Sequence, residues 1–178
     1  MTQQVVLTLI GPDRPGLVEA VAERVTAHGG NWLESRMAHL AGQFAGILRV
    51  ELAPERVEAL RAALRELEAR GLTVLMHTGA APPPAQSRAM ELEAVGQDHP
   101  GIVRDVSQVL LRHEVNIEEL TTDRFSAPMA GGLMFRARLR LGVPAGVDTD
   151  RLCRDLERIA HDLMVDLRLA QAVIGSEP

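Results

Sequence analysis

One eight-residue turn sequence occurs twice in this chain, and the distance between its copies fixes how the chain can fold. Gly11-Pro12-Asp13-Arg14-Pro15-Gly16-Leu17-Val18 returns as Gly96-Gln97-Asp98-His99-Pro100-Gly101-Ile102-Val103, 85 residues on, and Asn31 returns as Asn116 at the same offset. A repeat this long is not a solenoid unit, which runs to roughly 20–50 residues and needs several copies to bury a core. Two copies of about 80 residues each are two complete small domains. The expected division is 1–79, a Pro-rich linker over 80–87, and 88–175.

The flanking patterns give each copy the same order of elements. Val5–Ile10 is β-branched and apolar and reads as a buried strand ending at Gly11-Pro12. Pro15 is placed at a first helical position, and Leu17, Val21 and Val25 follow at helical spacing until His28-Gly29-Gly30. Two strands, about Trp32–Leu40 and Phe44–Leu52, flank a short hairpin. A helix from Pro54 carries the seam Val57, Leu60, Leu64, Leu67, Gly71 ends it, and Leu72–His77 closes the unit. The second copy repeats this with strands over Met90–Val95, Asn116–Phe125, Leu133–Leu141 and Val165–Ala172. Its helices run from Pro100 and along Leu152, Leu156, Ile159 and Leu163. The fold class is therefore α+β: two ferredoxin-like βαββαβ domains, each a four-stranded antiparallel sheet with two helices on one face.

Composition narrows the function classes. With three Phe, one Trp and no Tyr, the cores must be aliphatic and stacking on nucleobases is scarce. The net charge is −5 and neither half is basic, which argues against binding nucleic acid or an anionic membrane. A single Cys153 excludes an intrachain disulfide and points to a reducing compartment. With no apolar run long enough to span a bilayer and no signal-peptide pattern at Met1–Gln4, a cytoplasmic location is expected. The six His and one Cys show no metal-binding spacing, so neither metal nor cofactor is expected. Arg136, Arg138 and Arg140 alternate with Ala137, Leu139 and Leu141 and read as the solvent face of a half-buried strand.

The repeated Asp-x-Pro-Gly turn is the strongest chemical candidate. It delivers the chain to a helix N-terminus, where first-turn N–H groups lack partners and the macrodipole favours an anion. Asn31 and Asn116 open the following strands, and an amide there offers donors and an acceptor. Such a set suits a free amino acid. Equally, Asp13 and Asp98 would fill the anion site themselves if they cap the helix amides.

A βαββαβ unit with Asp-x-Pro-Gly-[Leu/Ile]-Val after its first strand and Asn at its second resembles the ACT domain, a small amino-acid-binding regulatory module. Two such units on a Pro-rich linker, with Asn31-Trp32-Leu33-Glu34-Ser35-Arg36, resemble the glycine cleavage system transcriptional repressor family. The resemblance implies a ligand held between two domains, near the first turn of one and the second strand's start in its neighbour. It nominates Asp13, Arg14, Gly16, Leu17 and Asn31, with Asp98, His99, Gly101, Ile102 and Asn116. It further implies a small amino acid, glycine by family analogy, and a repressor that contacts a DNA-binding activator and not DNA. A homodimer is expected, because small sheets leave edges to cover. No catalytic residues are nominated, since two modules leave no room for a catalytic domain. The alternatives are an accessory ACT protein modulating an amino-acid enzyme, or a structural dimer without ligand.

Overall fold

Strict alternation along the first strand decides which face of its sheet is dry. In a computed structural model that describes residues 2–79, 86–126 and 132–172, β1 (Gln3–Pro12) buries Val5, Leu7 and Leu9 on one face. Period-two alternation then leaves Val6, Thr8 and Ile10 on the other. After it come α1 (Leu17–Ala27), β2 (Asn31–Leu40), β3 (Gln43–Leu52), α2 (Val57–Arg65) and β4 (Thr73–Thr78). The sheet order is β2-β3-β1-β4, antiparallel throughout. Leu17, Val21 and Val25 of α1 and Val57, Leu60 and Leu64 of α2 join the inner strand residues in one aliphatic core.

The second unit has β5 (Ser87–Gln97), α3 (Ile102–Arg112), β6 (Asn116–Ser126), β7 (Leu133–Pro144), α4 (Thr149–Leu163) and β8 (Val165–Gln171). Its order, β6-β7-β5-β8, is that of the first. The chain divides into Met1–Pro82 and Pro83–Pro178. Pro82–Pro84 and most of the expected linker lie outside the described residues, while Ser87 already belongs to β5. No helix among the described residues is long and apolar enough to cross a membrane.

Two boundaries differ from the sequence expectation. Pro15 and Pro100 are not first helical residues: Gly16 and Gly101 follow them with φ of 88° and 107°, and the helices begin at Leu17 and Ile102. A left-handed residue cannot belong to a right-handed helix, so each Pro belongs to the turn. The helix expected from Pro54 starts and ends as 3-10 turns, Pro54–Arg56 and Glu66–Arg70, around α2, and Gly71 stops it in the left-handed region.

Close backbone approach locks the two ends of each unit. At Gly11 a Cβ would run into the carbonyl oxygen of Gly71 and lie 3.2 Å from the Cα of Leu72. At Gly96 it would lie 2.7 Å from the carbonyl oxygen of Met164. Both obstacles are backbone, which cannot swing aside. Gly11→Ala is therefore expected to destabilise the first unit by about 1–3 kcal/mol. Urea unfolding followed by fluorescence of the single Trp32 checks this. A loss within about 0.5 kcal/mol, the range of an ordinary surface change, would contradict the close approach.

Candidate functional site

Each Asp-x-Pro-Gly turn is held against the sheet by its own backbone. The Asp13 N–H donates to the Gly42 carbonyl at 2.9 Å, and the Asp98 N–H to the Leu133 carbonyl at 2.9 Å. The first contact ties the turn to the β2–β3 hairpin, the second to the start of β7. Gly16 and Gly101 then aim the chain into α1 and α3, and their carbonyls accept from Ala20 and Asp105 at 3.0 and 2.9 Å.

Neither helix start carries a side-chain cap. The contrast lies in α4, where the Asp148 carboxylate accepts from the Arg151 N–H at 3.0 Å. Asp98 instead meets Arg124 at 2.7 Å, and Asp13 makes no cap either. The self-capping alternative therefore does not hold: no side-chain hydrogen bond caps the start of α1 or α3.

The surroundings of the first turn are tight. Arg14, Gly16, Leu17, Leu67 and Arg70 line a recess of about 20 Å³, enough for roughly one water molecule and no amino acid. Arg70, in the 3-10 turn after α2, was not foreseen from the sequence. A wider hollow of about 690 Å³, bordered by Gln97, Met134, His161 and Asp166, opens beside the second turn, and none of the nominated residues lines it.

The two Asn residues lie far from the turns of their own units. Asn31 pairs with Glu51, which pairs with Gln4, whereas the turn follows Pro12. Asn116 pairs with Gly142, opposite Ala89, whereas the second turn follows Gln97. Eight residues of strand separate them in each unit, roughly 26 Å. Within one unit, therefore, Asn and turn do not share a site. Strands β2 and β6 lie at the edges of their sheets.

Residues 3–77 match the family model of the ACT domain, and the second unit repeats the strand order, the turn and the Asn. The first unit thus matches the ACT domain, and the second shares its strand order. The chain is similar to the glycine cleavage system transcriptional repressors of Escherichia coli (strain K12) and Shigella flexneri, 23% identical over 89% of this chain and 84% of each relative. A crystal structure of a protein of unknown function from Galdieria sulphuraria is 32% identical, with a TM-score of 0.84 over 97% of this chain and all of that one. Another, provisionally assigned as a glycine cleavage system transcriptional repressor, shares the fold at 21% identity, TM-score 0.68, over 95% of this chain and 96% of its own.

The tandem domains differ at the variable position of the turn. Arg14 reaches toward Gly71, at the exit of the second helical segment. His99 faces two carbonyls, Leu163 at the end of α4 (Nε2, 2.8 Å) and Pro100 (Nδ1, 3.1 Å). Both nitrogens can donate only in the imidazolium form, and the Leu163 bond, followed by that of Pro100, raises the His99 pKa above 6.5. A pKa raised by folding stabilises at pH below the unfolded value and is lost as pH rises through the folded one. The second domain is thus expected to lose stability as pH climbs past about 6.5, and His99→Gln to remove that part of the slope. An NMR titration of the ring with urea midpoints at several pH values checks this. A His99 pKa at or below the ordinary value contradicts it.

Proposed function

We propose that this protein is an amino-acid-responsive regulator built from two ACT domains, and that its ligand sits between two such domains. The observation that carries the reading is the uncapped start of α1 beside Arg14 and Arg70. The ligand carboxylate meets the amides at Leu17 or Ile102. Asn31 or Asn116 of the neighbouring domain holds the ammonium pole through its amide oxygen. Asp13 and Asp98 order the turns, and Gly16 and Gly101 give them their left-handed step. The recess holds no amino acid by itself, which supports a site completed by the second domain.

The similarity to the glycine cleavage repressors supports glycine as effector and repression of that system as output. The acidic balance supports action through a DNA-binding activator and not through DNA. Glycine has few atoms to bind with. At a ceiling of about 1.5 kcal/mol for each of its roughly five heavy atoms, affinity reaches micromolar at best. That range suits an abundant metabolite, and the ligand switches the protein only by favouring one domain arrangement over another.

Isothermal titration calorimetry with glycine and the other common amino acids is the test. One or more should bind between micromolar and millimolar. Asn31→Ala or Asn116→Ala should weaken binding about tenfold, the worth of one hydrogen bond to a charged group, with an unchanged circular dichroism spectrum. No heat from any amino acid at millimolar concentration would sink the sensor reading.

A further inference from the structure

Each Asn has a carboxylate beside it, and the two domains supply that carboxylate from different strands. Asn31 opens β2 directly opposite Glu51 of β3. Both lie on the outer face of the first sheet, since their neighbours Trp32 and Val50 turn inward to the core. Residues so paired hold their Cβ atoms about 4.5–5.5 Å apart, within reach of one small polar group. In the second domain the residue opposite Asn116 is Gly142, which has no side chain to offer. There the carboxylate comes from Glu118. A Cβ on Gly142 would stand 2.8 Å from Glu118 Oε1 and 3.5 Å from Ser87 Oγ.

Glu118 reaches this place because the ladder of β6 shifts register between Ile117 and Glu119, which makes Glu118 the extra residue of a bulge. The same shift falls between Trp32 and Glu34 in β2, where the extra residue is Leu33. A bulge re-aims the side chain it adds. Leu33 and Glu51 of the first domain thus correspond to Glu118 and Gly142 of the second. The two differences cancel, and the charge stays beside the Asn. Gly142 lies within β7 and is not one of the left-handed glycines, so what its missing side chain supplies is room.

We infer, building on the amino-acid reading above, that Glu51 and Glu118 bind the ligand ammonium beside Asn31 and Asn116. An amide oxygen accepts from a hydroxyl as readily as from an ammonium and cannot tell them apart. A carboxylate can, because its bond to a cation is roughly twice as strong as a neutral one. It also repels the ligand's own carboxylate and so sets which way the amino acid lies. Both acids have an oxygen to give. Thr2 donates to Glu51 Oε1 at 2.9 Å, and Arg140 meets Glu118 Oε2 at 3.4 Å. Among the described residues no hydrogen bond reaches Glu51 Oε2 or Glu118 Oε1.

Calorimetry of the full chain tests this with two ligands: the amino acid giving the largest heat, and the 2-hydroxy acid of the same side chain. Glu51→Gln together with Glu118→Gln should weaken the amino acid about tenfold or more and leave the hydroxy acid unchanged. In a Glu51→Gln background, Glu118→Leu should abolish the remaining preference for the amino acid. Adding Gly142→Glu recreates the first domain's arrangement and should restore it. Unchanged amino-acid affinity in the double Gln variant overturns the inference, as does an equal loss for both ligands. The sensor reading then still stands if Asn31→Ala and Asn116→Ala weaken binding. No heat from any amino acid overturns both.

Discussion

The close approach of Gly11 to Gly71, repeated between Gly96 and Met164, is the constraint on which the rest of each domain depends. It presses the end of the first strand against the exit of the second helical segment. The positive start of one helix therefore lies beside the negative end of the other. The turn between them inherits an electrostatic gradient before any side chain is considered. Arg14 and His99 both lie across that junction. His99 bonds the terminal carbonyl of α4, and Arg14 lies over the left-handed residue that ends the helical segment of the first domain.

Duplication preserved this frame and released other positions. The two cores keep the same strand order and helix seams, because each inner residue is fixed by close packing. The outer sheet faces carry no such obligation. One carries a network of paired charges around Arg136 and Arg138, while the other carries Ile10, Ile47 and Leu75. The variable turn residue diverged too, to a permanent cation in one domain and a titrating one in the other. The tandem repeat is thus symmetric in architecture and asymmetric in chemistry.

Much of this was legible in the sequence, for definite reasons. Alternation in Val5–Ile10 and the seam of Val57, Leu60, Leu64 and Leu67 report the inner faces, since burial writes periodicity into a chain. Gly29 and Gly71 stop their helices as their residue type suggests. The start of α1 was misplaced by two residues, because a Pro favours both a first helical position and the turn before it, and only the φ of Gly16 separates these. Arg70 at the recess, and the engagement of His99 with Leu163, are contacts distant in sequence that leave no local pattern. The roughly 26 Å between Asn31 and its own turn follows from strand register. Register was implicit in the βαββαβ order, yet it alone separates the Asn from the turn within each domain.

The central claim is that an amino acid binds where a turn of one domain meets the Asn of another. A crystal structure of the full chain, grown with the amino acid that gives the largest heat on titration, tests it most directly. The account predicts a ligand carboxylate on the amides at Leu17 or Ile102, with Asn31 or Asn116 of a different domain in hydrogen-bond contact. A ligand held wholly within one domain, or away from both turns, would contradict it.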